Sequence, residues 1–265
     1  MRLSIKHSTR YRFDTPSTYG LQQLRKTPKS GHGQHVLDWI TRIEGGIREL
    51  TFDDHHNNVV ELISFDRGTT ELEVVSEGLV MIEDTTGVVG QHRGPAPLWL
   101  YARPTDRTRL GPACRKLLRG IEGEADLERL HALSAAISKA VVYKVGASQP
   151  TWTAEDALTA GEGVCQDHTH VFLACAREMG FPARYVSGYL LMDGQVRQDA
   201  MHAWGEAHVE GLGWVGFDAS NGISPDARYV RVATGLDYAD AAPVTGLQVG
   251  GHGEALRVDI AVQQQ

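Results

Sequence analysis

Cys165 is the residue of this chain best placed for nucleophilic chemistry. It follows a glycine-rich segment, 161–164 (Gly-Glu-Gly-Val), and opens an apolar stretch that predicts a buried helix over residues 164–179. The free N–H groups and the partial positive charge of a helix N-terminus favour the thiolate, which is the nucleophilic form of cysteine. The same N–H groups can stabilise an oxyanion on an attacked carbonyl. For Cys165 taken alone, a buried structural role is the alternative.

Two residues further along the chain can complete such a site. A predicted strand over 201–209 carries His202, and after a glycine turn a second strand over 214–218 returns and ends at Asp218. Neighbouring antiparallel strands can bring the carboxylate beside the imidazole, although the sequence leaves their register open. Each residue also has a simpler interpretation, His202 as a structural histidine and Asp218 as a turn residue. Together with Cys165, they have the order nucleophile, general base and orienting carboxylate.

Four sequence blocks occur in an order that is typical of one family. They are 161–165 (GEGVC), 180–189 (GFPARYVSGY), 202–204 (HAW) and 213–218 (GWVGFD). On these blocks the sequence resembles the bacterial transglutaminase-like superfamily, whose members are often described as cysteine proteases with a papain-like core. The opening strand with Tyr11 and residues 24–28 (LRKTP) is similar to the β-rich N-terminal region that many members carry. Residues 237–243 and the last strand resemble their C-terminal end, so the resemblance covers nearly the whole chain.

The resemblance implies a role for each of the three residues. It implies that Cys165 is the nucleophile, that His202 is the general base and acid, and that Asp218 orients His202, with no cofactor. The family often has Asp-Pro-Thr after the second strand, whereas here Ala-Ser follows Asp218. This departure changes the stiffness of the turn and keeps the carboxylate. For an oxyanion-hole side chain the sequence offers only Gln166 and Trp152 as candidates.

Other residues that could bear chemistry have structural interpretations. Cys165, His168 and His170 do not share one helix face and lack the paired cysteines of a structural zinc site, so we expect no metal ion. The histidine-rich segment 53–58 lies between two predicted strands and is interpreted as a polar hairpin turn. Core positions are expected for the remaining cysteines, Cys114 and Cys175.

Composition and charge limit the classes of partner. The 265-residue chain has a formal net charge of −7 at pH 7, and an acidic surface disfavours nucleic acid. No stretch approaches the roughly 20 apolar residues of a membrane span, and the first residues lack the apolar run of a secretory signal. Three cysteines do not indicate a disulfide framework. We therefore expect a cytoplasmic protein with no membrane or nucleic-acid partner, and the sequence leaves its oligomeric state open.

The helices and strands predicted around Cys165, His202 and Asp218 indicate an α+β fold. A β-sandwich-like N-terminal region is expected over 1–92, and the glycine- and proline-rich residues 87–97 are expected to form a linker. A papain- or transglutaminase-like core over 93–235 follows, in which helices pack on an antiparallel sheet. Residues 236–265 form a C-terminal segment with a closing strand over 254–262. Strand patterns in the N-terminal region recur at 2–13, 36–43, 59–65 and 70–75.

Helix signals are clearest in the middle of the chain. Apolar residues at helical spacing form a stripe over 127–141, whose expected role is core packing. Before Cys165, Thr153 is a predicted N-cap with Asp156 at the third position after it, and Gly161 is predicted to end that short helix.

These predictions favour an enzyme that breaks or exchanges amide bonds. The Cys165 thiolate would attack an amide carbonyl, His202 would protonate the leaving amine, and a thioester would form. Water would then complete hydrolysis, or an amine would complete transfer. A peptidase or amidase acting on a peptide, protein or other amide-containing substrate is preferred, because water is always present and the sequence indicates no amine site. A transglutaminase or other amide-forming acyltransferase is the alternative. A non-catalytic peptide-binding module is a third interpretation, which the intact set of three residues disfavours.

Overall fold

The computed structural model describes residues 1–65, 67–149, 151–251 and 253–265. Asp66, predicted from the sequence as part of a turn, lies outside them. The strands are β1 (Arg2–Arg12), β2 (Ser17–Leu24), β3 (Gln34–Glu44), β4 (Ile47–Asp53), β5 (Val59–Phe65), β6 (Glu71–Ile82), β7 (Val88–Gly90), β8 (Val142–Tyr143), β9 (Glu162–Gly163), β10 (Ala183–Leu190), β11 (Arg197–Gln198), β12 (His202–Val209), β13 (Gly213–Phe217), β14 (Tyr229–Gly235), β15 (Val244–Gly250) and β16 (Ala255–Gln264). The helices are α1 (Pro112–Leu118), α2 (Asp126–Ala140), α3 (Ala154–Ala160), α4 (Cys165–Glu178) and α5 (Tyr238–Ala241), and a 3₁₀ helix spans Leu98–Ala102.

Strands β1 to β6 contribute to two sheets that enclose a shared apolar cluster. The sheets have the orders β11–β16–β1–β6–β3 and β15–β2–β5–β4. Tyr11 and Leu72 reach the cluster from the first sheet, and Leu24 and Ile63 reach it from the second. Each sheet also contains a strand from the end of the chain, because β16 pairs with β1 and β15 pairs with β2. The predicted closing strand is confirmed as β16.

A third sheet, of order β14–β10–β12–β13–β7, carries the residues singled out above. Helix α4 packs on one face of this sheet, where Phe172 stacks on Phe217 with 5.1 Å between ring centroids. Gly205 of β12 lies directly beneath, and a Cβ atom there would come within 2.4 Å of the Phe172 ring. The apolar stripe of α2 closes the core with Leu130 and Leu133 fully buried. The predicted α+β arrangement is therefore confirmed.

The short helix before the cysteine begins and ends where the sequence predicts. The Thr153 hydroxyl accepts a hydrogen bond from the Asp156 N–H at 3.2 Å, and the Asp156 carboxylate accepts from the Thr153 N–H at 2.9 Å. These reciprocal bonds satisfy N–H groups that the first turn of a helix leaves free. At the other end Gly161 has φ +69, a left-handed conformation that favours glycine.

A buried arginine near the end of α4 fixes the helix against three other segments. The Arg177 guanidinium donates to the Thr108 hydroxyl at 2.7 Å and to the carbonyl oxygens of Leu236, Tyr101 and Ala183 at 2.6 to 3.2 Å. Buried backbone carbonyls need such donors, so the guanidinium both satisfies them and sets the position of the helix. Because the same helix begins at Cys165, this anchor also limits where the thiol can lie.

The predicted linker over 87–97 is wrong for its first part. Residues 88–90 form β7, which pairs with β13 through Val88–Val215 and Gly90–Trp214. Two adjacent β-branched valines favour a strand, and Gly213 permits close approach, since a Cβ atom there would lie 2.2 Å from the Gly90 carbonyl oxygen. Gly87 and Gly90 therefore lie at the two ends of an edge strand of the third sheet.

The histidine-rich segment 53–58 forms the predicted turn, with Asn57 at φ +65. However, His56 and Asn58 are buried rather than solvated. Asn58 donates to the Thr234 carbonyl oxygen at 2.8 Å and accepts from the Thr234 N–H at 2.8 Å. The turn therefore docks on β14 of the third sheet.

Within the described parts of the chain, no helix combines the length and apolar character needed to cross a membrane.

Candidate active site

Cys165 occupies the first position of α4, as predicted. The preceding strand β9 runs parallel to β8, and the Asp167 carboxylate accepts a hydrogen bond from the Val164 N–H at 2.8 Å. Gly163 leaves room for this carboxylate, because a Cβ atom there would lie 2.8 Å from it. Helix geometry leaves the N–H groups of Cys165 and Gln166 without intrahelical acceptors. The half-buried thiol therefore lies beside free amide donors at the positive end of the helix.

Cys165, His202 and Asp218 lie next to one another. His202 Nε2 lies 2.6 Å from Asp218 Oδ2, and the side chain of Cys165 is close enough to the same imidazole to raise the pKa of His202. Because Nε2 faces the carboxylate, Nδ1 is the nitrogen left for the thiol. The structure thus brings together the three residues that the sequence singled out, with Cys165 at the N-terminus of α4, His202 at the start of β12 and Asp218 just after the end of β13.

The charges of its two neighbours control the protonation of His202. Burial lowers the pKa of His202, but the hydrogen bond to Asp218, the neighbouring side chain of Cys165 and the negative charge of Asp218 more than offset this effect and raise the pKa to about 10. Burial also disfavours the Asp218 carboxylate, yet the bonds from His202, Ser220 and Tyr229 hold the pKa of Asp218 well below its usual range. The raised pKa of His202 favours a protonated imidazole beside the Asp218 carboxylate at neutral pH.

Asp218 accepts hydrogen bonds at both carboxylate oxygens. Oδ1 accepts from the N–H and hydroxyl of Ser220, at 3.0 and 2.6 Å, and from the Asn221 N–H at 3.1 Å. Oδ2 accepts from His202, from the Asn221 side-chain amide at 2.8 Å and from the Tyr229 hydroxyl at 2.8 Å. This set of donors fixes the carboxylate, and through it the plane of the imidazole.

The register of β12 and β13 places His202 and Asp218 diagonally rather than directly opposite. Gly205 pairs with Phe217, so Asp218 faces the position of Trp204, two residues along the strand from His202. Diagonal neighbours on one face of an antiparallel pair are within reach of long side chains. The imidazole spans this offset to the carboxylate.

Two residues around Asp218 were missed by the sequence reasoning. Tyr229 of β14 donates to Asp218, and its ring centroid lies 5.9 Å from that of His202. Asn221 was interpreted only as part of a turn, although its side chain reaches both Asp218 and Tyr229. The Asn-Gly pair after Asp218 predicts a tight turn that would fold the amide back on the carboxylate, and this was the signal available for Asn221. No local signal identifies Tyr229, because it belongs to a strand that does not neighbour β13.

The other residues considered from the sequence have structural surroundings. The ring nitrogens of His168 lie 2.8 and 2.9 Å from the carbonyl oxygens of Val164 and Val141, and buried His170 accepts from the Tyr238 N–H at 3.3 Å. Among the described residues, no group of three or more histidine, cysteine or acidic residues is arranged to hold a metal ion. Trp152 packs against the same core cluster as Cys165, and the oxyanion role of Trp152 or Gln166 stays a prediction.

The remaining cysteines are fully buried, as expected. Cys114 of α1 and Cys175 of α4 belong to the same buried core cluster. The neighbouring side chain of Cys114, together with burial, raises the pKa of Cys175 far above that of an ordinary thiol. Cys165 is therefore the one cysteine of the three with partial exposure.

The raised pKa of His202 predicts a pH dependence of stability. A group whose pKa is about 10 when folded and near 6.5 when unfolded stabilises the fold fully below about pH 6.5, and this contribution is lost as the pH rises through 10. We expect the free energy of unfolding of the wild type to exceed that of His202→Gln at about pH 6. This difference should decrease by an amount on the order of a few kcal/mol as the pH rises to about 10.5. Urea unfolding of both proteins at several pH values measures this difference. A difference that is constant with pH would show that His202 is not held as a cation.

Comparison with known proteins agrees with this architecture. Residues 115–219 match the model of the transglutaminase-like superfamily, and residues 3–81 match that of the bacterial transglutaminase-like N-terminal region. An uncharacterized protein of Mycobacterium leprae (strain TN) is 30% identical over 268 residues, which cover 94% of each chain. The chain belongs to the transglutaminase-like superfamily.

Two further similarities are weaker, because one covers only part of the chain and the other has low sequence identity. An uncharacterized protein of Mycobacterium tuberculosis (strain H37Rv) is 37% identical over 131 residues, which cover 46% of this chain and 42% of that protein. The crystal structure of a protein from Cytophaga hutchinsonii, named a "putative cysteine protease", has a TM-score of 0.78 with 20% identity. It covers 100% of this chain and 91% of its own, so the two proteins share the whole fold.

Proposed function

We propose that this protein is a cysteine-nucleophile enzyme that cleaves amide bonds by acyl transfer, with Cys165, His202 and Asp218 as its catalytic triad. The observation that carries the proposal is the hydrogen bond between His202 and Asp218 beside the thiol that opens α4, which is close enough to influence the same imidazole. The fold shared with a cysteine protease candidate from Cytophaga hutchinsonii is consistent with this chemistry but does not assign it.

The proposed reaction proceeds through a thioester. The Cys165 thiolate bonds to the amide carbon, and the carbonyl electrons move to an oxyanion beside the N–H groups of Cys165 and Gln166. The His202 imidazolium gives its Nδ1 proton to the nitrogen of the leaving amine as the C–N bond breaks. A water molecule then loses a proton to His202 and attacks the thioester, which releases the acid and restores the thiolate. In both acylation and deacylation, Asp218 orients the His202 ring and stabilises its positive charge.

The surroundings of the thiol support a peptide or protein as substrate. Val142, Tyr143 and Val145 are apolar and well exposed, at 63%, 49% and 82%. They lie on or next to β8, which runs beside the strand leading into Cys165. Burial, and to a smaller extent the neighbouring Cys165, raise the pKa of Tyr143. An exposed apolar surface beside a nucleophile suits the side chains of an extended chain better than a small polar amide.

The proposal extends to the organisation and location of the protein. The two sheets with the shared cluster of Tyr11 and Ile63 would act as a sandwich-like support within 1–92, of which only β7 joins the sheet of the catalytic core. The catalytic core would span 93–235, and 236–265 would tie the core to the support through β15 and β16. The unpaired thiols of Cys114 and Cys175 support a reducing compartment such as the cytoplasm.

A peptide mixture in isotopically labelled water, with and without a primary amine, tests the proposed activity. Hydrolysis would place the heavy oxygen in new carboxyl termini, whereas an amide-forming acyltransferase would add the mass of the amine. We expect labelled carboxyl termini with the wild type and neither product with Cys165→Ala. Peptide binding without either product from the wild type would instead support a non-catalytic peptide-binding module.

A further inference from the structure

We propose that a cavity on the face of the third sheet opposite α4 binds a small carboxylate. The cavity has a volume of about 290 Å³, and Arg184, Glu206 and Arg231 are among its lining residues. This volume is near the lower end of the range of ligand pockets, so it suits a ligand about the size of one ring. Its lining residues do not include Cys165, His202 or Asp218, and the proposal is independent of the proposed activity.

The cavity is lined by a cluster of charges that is not neutral and that consists of buried Arg184 and Glu206 and partly exposed Arg231. Arg184 and Glu206 are cross-strand partners on β10 and β12, and Arg184 Nε donates to Glu206 Oε2 at 2.6 Å. Arg231 Nε of β14 lies 2.9 Å from Glu206 Oε1, without the alignment of a hydrogen bond. Glu206 is fully buried, and the two cations lower its pKa against the effect of burial. Two arginines thus share one carboxylate and leave one positive charge in excess.

The arginines still have donors for a ligand. Arg184 bonds to Glu206 through Nε alone, and within residues 1–65, 67–149, 151–251 and 253–265 no hydrogen bond is found for its terminal nitrogens. The Arg184 guanidinium lies 3.9 Å from the ring centroid of Trp214, and this contact orients the guanidinium plane. A planar guanidinium with free N–H groups matches a carboxylate in shape and charge. The excess positive charge is only partly screened by solvent, because Arg184 is buried and the Arg231 side chain is one-third exposed, and a bound anion would compensate it.

The rest of the lining indicates what kind of anion fits. Trp204 and Tyr229 contribute aromatic walls, and the segment 29–34 closes one side. Gln34 fixes that segment, since its amide bonds to the N–H and carbonyl groups of Arg231 at 2.8 and 2.9 Å. The other lysine, arginine and acidic residues of the lining balance in number, with Lys29 and Arg93 against Glu83 and Asp226. A carboxylate with a small apolar body therefore matches the cavity better than a fully polar anion.

Benzoate and benzamide form a matched pair of probes, because they have the same ring and differ in the charge of the substituent. Titration calorimetry on the wild type, up to about 10 mM ligand, should give one benzoate site per chain and no benzamide site. We expect Arg231→Gln to weaken benzoate binding about tenfold or more, because it removes the excess charge while Arg184 keeps its pair with Glu206. Arg109→Gln is the control, because it changes a surface arginine whose partner Asp106 is also exposed and neither residue lines the cavity, and it should bind like the wild type.

Further measurements distinguish binding in the cavity from binding elsewhere on the protein. Cys165→Ser should bind benzoate with unchanged affinity, because the thiol is outside the cavity. Equal binding of benzamide, or full affinity in Arg231→Gln, would overturn the proposal. So would competition by sodium chloride at equal concentration, since that would assign the charge to inorganic counter-ions, and so would the absence of benzoate binding to a folded wild type.

Discussion

Replacement of His202 by alanine should slow the alkylation of Cys165 by iodoacetamide at pH 6 about 100-fold. The physical reason is the fraction of thiolate. An ordinary cysteine with a pKa of about 8.5 is about 0.3% ionised at this pH, so rapid reaction requires a neighbouring cation. His202 supplies it, because Asp218 and the thiol raise the pKa of His202 to about 10 and keep the ring protonated. Near pH 9 the effect of the substitution should be small, since most ordinary thiols then react as thiolates.

Mass spectrometry of each cysteine peptide measures this rate directly. Cys114 and Cys175 provide internal references, because both are fully buried and should stay unmodified while the protein is folded. His208→Ala is the matched control, since His208 lies on the same strand and face as His202 and contacts Trp214 instead. Equal slowing by both substitutions would point to a general change in the sheet, and no slowing by His202→Ala would mean that no thiolate–imidazolium pair exists.

Much of the site could be predicted from the sequence because its signals are local. The glycine-rich approach and apolar stretch located Cys165 at the start of α4, and the Thr153 cap fixed the preceding helix. The alternation of β12 placed His202 on one face, and the order of the strands placed Asp218 nearby. Each of these inferences depends on residues that are close together along the chain, within one helix or within two consecutive strands.

The features that were missed depend on pairing between distant segments. Tyr229 reaches Asp218 from β14, a strand separated from β13 in the sheet by β10 and β12. Strand β15 pairs with β2 across more than 200 residues, and neither strand was predicted. Strand β4 was also missed, because all of its residues are exposed and it has no alternating apolar pattern. Register and sheet order are set by tertiary packing, which a single sequence does not encode locally.

The departure from the family at the turn after Asp218 has a physical compensation. A proline at position 219 would restrict the backbone, whereas here the restriction comes from hydrogen bonds. The Ser220 hydroxyl and the N–H groups of Ser220 and Asn221 converge on Oδ1 of Asp218. The turn is closed by the reciprocal backbone bonds between Asp218 and Ile223. A stiff turn is therefore obtained without the proline.

Asp218→Asn should reduce the rate of acyl transfer by about 10³- to 10⁴-fold and destabilise the fold by about 2–4 kcal/mol. Every partner of the carboxylate in the described structure donates a hydrogen bond. An asparagine side chain has an NH₂ group in place of one carboxylate oxygen. Whether that group takes the position of Oδ1 or of Oδ2, it faces hydrogen-bond donors and cannot accept from them. If the NH₂ group faces His202, the ring loses both its acceptor and the negative charge that raises its pKa. If it faces Ser220 and Asn221, two backbone N–H groups lose their acceptor.

Two comparisons separate the loss of charge at Asp218 from a simple loss of structure. Asp226→Asn alters a partly exposed carboxylate that pairs with Arg228, and it should leave both the rate and the unfolding free energy nearly unchanged. Tyr229→Phe removes a single donor to Asp218 and keeps the charge, so it should cost about 1–2 kcal/mol of stability and far less of the rate. Thiol alkylation at pH 6 gives a readout that stability alone would not move, because Asp218→Asn should slow it in a protein that is still folded. If Asp218→Asn is folded and its acylation rate stays within about tenfold of the wild type, Asp218 supports the turn and does not orient the imidazole for catalysis.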